Sequence, residues 1–208
     1  MKALYILLLF CGLLSISGLR AQTIYPIETY FDHVDEDNVY FKDVNGIFNK
    51  FIGTWEYSTA TQYFKITFLK KQNVEELPEF STRHRYFDML QSNFQYKEKV
   101  NGNWVVVYNT YPAMGQILFS RWIEGSVPDN PNTIEIFYNE PYTGSCPRSR
   151  REMLKIIYSQ SGNVQQLSWQ RTVYLKTSIE LGEPCADGTP SDTSAYKIPA
   201  NMTLTKIN

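Results

Sequence analysis

The chain has 208 residues, of which 43% are hydrophobic and 15% aromatic, and its formal net charge at pH 7 is −1. This length is sufficient for one domain with a buried core. The near-neutral charge and the scattered basic residues are unlike the basic surface of a nucleic-acid-binding protein, so we expect no nucleic-acid partner.

The first 21 residues have the three-part layout of a secretory signal peptide. Lys2 precedes an uninterrupted apolar run over residues 3–14, and small and polar residues then lead to Ala21, the predicted last residue before cleavage. The apolar run is shorter than the roughly 20 residues that span a bilayer. We therefore expect export to the periplasm, the cell surface or the medium, and a single domain over residues 22–208 without a transmembrane segment.

Two cysteines, Cys146 and Cys185, remain after the predicted cleavage. Both lie in turn-rich sequence, and an exported protein reaches an oxidising compartment in which a disulfide forms readily. A disulfide between two loops and a pair of separate thiols are both compatible with the sequence, and we favour the disulfide. It would stabilise the fold by about 3–4 kcal/mol through closure of a long loop.

Beyond the signal peptide, apolar and polar residues alternate with a period of two, which predicts β-strands. Asn-Gly at 101–102 and Ser-Gly at 161–162 supply the turn chemistry of two hairpins, because glycine tolerates positive φ. A closed barrel and a sandwich both hide the edges of such strands. The predicted strands, about nine in number, lie in the segments FIGTWEYS, TQYFKITFLKK, RYFDMLQSNFQYKEKV, NWVVVYNT, QILFSRWIEG, NTIEIFYNE, REMLKIIYSQ, VQQLSWQRTVYL and NMTLTKI.

A short helical turn is predicted directly before the first of these strands. Apolar residues in the stretch 43–51 recur at helical spacing, and Asp43 is a suitable N-cap. The triplet Gly53-Thr54-Trp55 follows. Glycine allows a close approach of two backbone segments, and Trp55, two residues later on the same face of the strand, is expected to point inward.

The helical turn and the Gly-x-Trp triplet resemble the start of the lipocalin and fatty-acid-binding superfamily, the calycins. The resemblance implies an antiparallel β-barrel of about eight or nine strands, in which a basic residue of the last strand packs across the tryptophan. Lys206 is the candidate for this contact, because Met202, Leu204 and Lys206 share one face of the terminal strand. Gly53, Trp55 and Lys206 are therefore expected to be structural residues of the barrel floor.

A second resemblance covers the chain from about Asp37 to Ile207. The run DNVYFKDVNGIFNKFIGTWEYSTATQYFKITFLKK, the later YFDMLQSNFQYKE, Leu-Ser-Trp at 167–169 and the terminal MTLTKI are similar to a family of secreted, lipocalin-like bacterial proteins of unknown function. This resemblance implies the fold and export, and it implies no activity. One departure from ordinary lipocalins is the stretch 176–199, which reads as a loop where they have a helix.

No segment carries the spacing of a catalytic, nucleotide-binding or metal site. The two histidines, His33 and His84, lie far apart in the sequence without further metal ligands at a recognisable spacing. The acid pair Glu75/Glu76 is predicted to be a solvated loop charge rather than a pair of desolvated catalytic carboxylates. We expect a non-enzymatic protein without cofactor or metal, and a hydrolase that uses loop carboxylates is the enzymatic alternative.

The inward-facing aromatic residues suggest a function in binding a small apolar or amphipathic ligand. A small barrel is either filled by its own side chains or holds one ligand, and the pattern does not distinguish the two. The candidate interior residues, taken relative to Trp55, are Tyr57, Phe64, Ile66, Phe68, Phe94, Tyr96, Phe119 and Trp169.

The alternative function is an extracellular or cell-surface interaction module with a filled core. Exposed tyrosine and tryptophan rings suit contacts with glycans or proteins. This alternative requires a patch in which Tyr40, Tyr63, Trp122 and Tyr142 are exposed together.

Overall fold

The computed structural model describes residues 22–76, 82–111, 130–138, 140, 152–173, 188 and 196–207. These residues form ten β-strands of one sheet and two short 3₁₀ helices, so the all-β prediction is confirmed. No helix in this part of the chain is long and apolar enough to cross a membrane. The signal peptide over residues 1–21, the cysteines Cys146 and Cys185, and Phe119 lie outside the described residues.

The strands from Gly53 onwards coincide with strand segments predicted from the sequence, whereas the two strands before Gly53 were not predicted. The 3₁₀ helices span Ile27–His33 and Ile47–Lys50, and the second of them is the predicted helical turn. The predicted segment QILFSRWIEG lies outside the described residues. The strands are β1 Thr23–Pro26, β2 Val39–Lys42, β3 Gly53–Ser58, β4 Gln62–Glu75, β5 Arg85–Val100, β6 Asn103–Asn109, β7 Thr133–Tyr138, β8 Glu152–Ser161, β9 Val164–Val173 and β10 Asn201–Ile207.

The sheet is mixed rather than purely antiparallel. Its strand order is β1-β2-β5-β4-β3-β10-β9-β8-β7, with β6 paired to β5. The antiparallel prediction is right for β3 to β10 and wrong for the first two strands, because β1 pairs parallel with β2 and β2 pairs parallel with β5. Val39, Tyr40 and Phe41 are all buried, so β2 has no alternation from which a strand could be predicted.

The sheet is strongly curled, because side chains from strands far apart in the strand order meet on its inner face. The ring of Phe64 on β4 lies 5.2 Å from that of Trp169 on β9, centroid to centroid, although β3 and β10 separate these strands. Tyr108 on β6 donates a hydrogen bond of 3.0 Å to Oε2 of Glu140, which follows β7. Closure into a barrel is not seen among the described strands, so the barrel predicted from the sequence is not confirmed.

The inner face of the curled sheet holds the hydrophobic core. Alternation along each strand places one side-chain set inward, and burial of each large apolar side chain stabilises the fold by roughly 1.5–3 kcal/mol. The most deeply buried inner-face residues, each at most 2% exposed, include Phe64, Ile66, Phe68, Leu90, Phe94, Tyr96, Leu154, Ile156, Leu167, Trp169 and Leu204.

Candidate functional site

One end of the curled sheet is spanned by the 3₁₀ helix of residues 47–50. Asp43 holds the start of this helix, since its Oδ1 accepts a hydrogen bond of 2.6 Å from the backbone N of Ile47. At the other end of the helix, Lys50 Nζ donates to Oδ1 of Asn132 at 2.8 Å, directly before β7. The helix therefore connects the entry to β3 with the far side of the sheet.

Trp55 contacts the residue that follows this helix and is fully buried. Its Nε1 donates a hydrogen bond of 2.8 Å to the carbonyl oxygen of Phe51. Lys206 is its direct partner on β10, and Lys206 Nζ lies 5.3 Å from the centroid of the indole, which is the contact that the calycin resemblance implies. Gly53 has a φ of +124°, and a Cβ there would lie 2.7 Å from Cε of Lys206. Glycine at this position therefore leaves the space through which Lys206 reaches Trp55.

The interior positions predicted from the sequence lie together on the inner face wherever the structure describes them. Tyr57 is half-buried and packs against the core opposite Phe64. The other described positions are at most 2% exposed: Trp55, Phe64, Ile66, Phe68, Phe94, Tyr96 and Trp169.

Trp169 contributes a buried hydrogen-bond donor for which the described part of the chain provides no acceptor. The residue is 1% exposed, and its Nε1 has no hydrogen-bond partner among the described residues. Its ring packs edge-on against Phe64 and Tyr138, at centroid distances of 5.2 and 5.7 Å. The Oγ of Ser92, on the inner face of β5, is likewise buried and has no hydrogen-bond partner in the described ranges. An unpaired buried polar group costs about 1–3 kcal/mol, so both groups mark positions where a further hydrogen-bonding partner would be stabilising.

A buried ion cluster lies at the end of the inner face away from the helix. Glu140 lies 3.2 Å from Nη1 of Arg171 and accepts hydrogen bonds from the Tyr138 hydroxyl at 2.9 Å and from the backbone N of Ile198 at 2.8 Å. Arg171 Nε lies 2.5 Å from Oε2 of Glu152. The two groups form an ion pair without the geometry of a hydrogen bond. Two buried carboxylates thus share one guanidinium group.

The tyrosines around Arg171 complete this cluster. The guanidinium carbon lies 4.9 Å from the ring centroid of Tyr138 and 5.1 Å from that of Tyr196. Burial and the negative charge of Glu140 raise the pKa of the Tyr138 hydroxyl well above its usual value. Sequence reasoning missed this cluster, although one signal was present: Arg171 follows Trp169 by two residues and therefore faces inward.

A second buried cluster joins the 3₁₀ helix to the sheet. Lys70 Nζ lies 2.8 Å from Oδ2 of Asp43 and 3.5 Å from Oδ2 of Asp88, and both aspartate side chains are fully buried. Tyr40 donates its hydroxyl hydrogen to Oδ1 of Asp88. Burial and this hydrogen bond raise the pKa of Tyr40 to about 12. The aspartates therefore act as acceptors that anchor the helix and β2.

Tyr40→Phe is expected to reduce the fall in the free energy of unfolding that occurs between pH 10 and pH 12. Between pH 10 and 12 the unfolded chain loses the phenolic proton of Tyr40, whereas the folded protein keeps it. The stability that the protonated hydroxyl contributes is therefore fully present below pH 10 and is lost towards pH 12. The loss amounts to about 2–3 kcal/mol. Urea unfolding at intervals from pH 9 to pH 12 measures it. Below pH 10 the variant should differ from the wild type only by a constant offset, and equal slopes above pH 10 would contradict the assignment.

The acid pair Glu75/Glu76 lies in two separate ion pairs, one with Arg85 and one with His84. Arg85 Nε donates to Oε2 of Glu76 at 2.6 Å in a buried pair, so the interpretation of Glu76 as a solvated loop acid is wrong. Glu75 is exposed and lies 3.2 Å from Nδ1 of His84. Within the described ranges, no three His, Cys, Asp or Glu side chains are placed to hold a metal ion.

Comparison with protein families matches residues 1–207 to a family of unknown function, DUF6705. The chain belongs to this family. Comparison with curated proteins and with solved structures gave no match. The DUF6705 description states no activity or ligand and no relation to lipocalins. The predicted likeness to a family of unknown function is therefore confirmed, and the calycin relationship is not part of that finding.

Proposed function

We propose that this protein is an exported, non-enzymatic binding protein whose curled sheet forms a calycin-like barrel around one small amphipathic ligand. The observation that carries the proposal is the buried Nε1 of Trp169, which has no acceptor among the residues that the structure describes. A ligand that combines an apolar body with a hydrogen-bond acceptor would supply the missing partner.

The barrel part of the proposal is supported by the contact between Tyr108 and Glu140, which brings the β6 and β7 sides of the sheet together. It is also supported by Gly53, Trp55 and Lys206, whose arrangement is the one that the calycin resemblance implies. Amide hydrogen exchange on β7 tests closure. In a barrel, the β7 amides that do not bond to β8 are protected by another strand, and in an open sheet they exchange rapidly.

The chemistry of the ligand follows from the surroundings of Trp169. The edge-on contact between Phe64 and Trp169 already occupies the middle of the curled sheet, so the ligand must be small and lie beside these rings. The aromatic walls favour a flat or branched apolar body. The indole N–H selects an acceptor such as a carbonyl, carboxylate or ether oxygen.

The non-enzymatic part of the proposal is supported by the ion pairs in which the buried carboxylates lie. Every buried Asp or Glu in the described part of the chain lies in an ion pair with Lys or Arg. Carboxylates held in this way stabilise the fold and are not positioned as a general acid and base pair. The five carboxylates concerned are Asp43, Glu76, Asp88, Glu140 and Glu152.

Paired ligands test the proposal, each pair consisting of a carbonyl-bearing aromatic or aliphatic compound and the corresponding hydrocarbon. Binding is measured by tryptophan quenching and by native mass spectrometry on the wild type and Trp169→Phe, which keeps an aromatic ring and removes the donor. The variant should bind the carbonyl compounds about tenfold more weakly, in line with one hydrogen bond, and the hydrocarbons equally well.

Trp104→Phe is the matched control, because Trp104 is 46% exposed and lies outside the core. It should bind all compounds as the wild type does. Binding of no compound, or the same affinity of Trp169→Phe and the wild type for the carbonyl compounds, would overturn the proposal and indicate a core that needs only a buried water molecule.

The alternative interaction module has less support. Its expected aromatic patch is not formed by the described members of the set, because Tyr40 is buried in the Asp88 cluster and Tyr63 is half-buried. Trp122 and Tyr142 lie outside the described residues.

A further inference from the structure

The tip of the β5–β6 hairpin, residues 97–106, carries exposed apolar side chains. Val100 is 50% exposed, Trp104 46%, Val105 45% and Val106 52%. They are half of the large apolar residues that are exposed in the described part of the chain. Exposed apolar side chains that are grouped in this way, rather than scattered singly, are a common feature of interaction sites.

The exposed residues lie on both faces of the hairpin. Lys97 pairs with Val106 and Lys99 with Trp104, so these four side chains share one face. Val105 lies between Trp104 and Val106 in the strand and therefore points to the opposite face. A register shift between the pairs of Tyr96 and Lys97 separates this tip from the base of the hairpin.

The base of the hairpin belongs to the core, whereas the tip extends beyond it. Tyr96 on β5 is fully buried and its ring lies 6.5 Å from that of Tyr108 on β6. After the register shift, side chains on both faces of β6 are about half exposed. The tip is therefore an apolar ribbon that neither face of the sheet covers.

Basic and aromatic groups accompany these apolar side chains on one face. Lys99 Nζ lies 5.8 Å from the ring centroid of Trp104, and Lys97 Nζ lies 5.2 Å from that of Tyr63. Tryptophan and tyrosine rings are enriched at the level of lipid headgroups, and lysine extends its ammonium group towards phosphates while its methylene stem stays in apolar surroundings.

We infer that the hairpin tip is a peripheral membrane contact that inserts into the headgroup layer of an anionic bilayer. A protein partner that docked on one face would leave the other face of the tip in water, whereas a headgroup layer surrounds both. Lys97 and Lys99 provide the charge complementarity to anionic phosphates. The contact is independent of the proposed ligand in the core, because Trp104 and Trp169 lie in separate parts of the protein.

Vesicle flotation of the purified protein tests this inference. Vesicles of phosphatidylcholine with phosphatidylglycerol are compared with vesicles of phosphatidylcholine alone, at low and at physiological ionic strength. The protein should float with the anionic vesicles, and less so at higher salt. Lys97→Gln with Lys99→Gln should weaken binding to the anionic vesicles by roughly 30-fold, as expected for two lysines near the surface.

Val105→Asp and Val164→Asp form a matched pair. Both valines are about half exposed, at 45% and 49%, and Val164 lies at the turn of the β8–β9 hairpin. Val105→Asp should abolish flotation, and Val164→Asp should leave it unchanged, with unfolding curves that show both variants folded. No flotation of the wild type, or an equal loss in both variants, would overturn the inference. So would a change of oligomeric state in Val105→Asp without a change in flotation, because the tip would then bind a second copy of the chain.

Discussion

Trp55→Ala is expected to lower the free energy of unfolding by about 3–5 kcal/mol, as for other truncations of a buried tryptophan. Trp55 is fully buried, and its ring packs edge-on against Tyr158 at a centroid distance of 6.4 Å. Alanine would leave a cavity beneath Lys206 and would also remove the donor that satisfies the carbonyl oxygen of Phe51. Urea unfolding followed by far-ultraviolet circular dichroism measures the change.

The Lys206 contact is expected to contribute much less than the buried ring. Lys206→Ala removes only the cation–aromatic contact and the packing of the lysine stem, which together amount to on the order of 1 kcal/mol. Because the two side chains touch, the double variant should lose less stability than the sum of the single variants. Trp104→Ala, at an exposed site, should cost about 0.5 kcal/mol or less. Additive effects of Trp55→Ala and Lys206→Ala would contradict the contact.

The sequence was sufficient to predict the parts of the fold in which one face of a strand is buried and the other is not. Alternation together with the Asn-Gly and Ser-Gly turns of two hairpins identified β3 to β10. Gly53 and Trp55 predicted a close backbone approach and an inward ring, and the calycin resemblance implied the contact of that ring with Lys206. Inward-facing positions such as Phe64 and Trp169 followed from the same parity.

The parts that could not be predicted depend on contacts between distant segments. β2 is buried on both faces beneath the N-terminal segment, which removes the alternation from its sequence. Glu140 and Arg171 are 31 residues apart, and their pairing depends on how strongly the sheet curls. Glu76 appeared to be a loop acid because its partner Arg85 is separated from it by a segment without a strand pattern.

Arg171→Leu is expected to cost about 3–5 kcal/mol, the range for removal of one partner from a buried ion pair. The side chain of Arg171 is 7% exposed and those of Glu140 and Glu152 are 0% and 4% exposed, so both buried carboxylates would lose the counter-charge that Arg171 supplies. Arg171→Lys keeps the charge and loses the planar guanidinium, so its loss should be intermediate. Chemical unfolding at pH 7 ranks the variants.

Lys155→Leu is the matched control on the same sheet, since Lys155 lies 3.2 Å from Glu135 with side chains that are 43% and 30% exposed. An ion pair of this exposure contributes about 0–1 kcal/mol, so the control should remain close to the wild type. If the cost of Arg171→Leu arises from uncompensated charge, Glu152→Leu in the same chain should restore part of the stability, because one buried carboxylate is then replaced by an apolar side chain. A further loss in the double variant would show instead that Arg171 stabilises the core through its packing on Tyr138 and Tyr196.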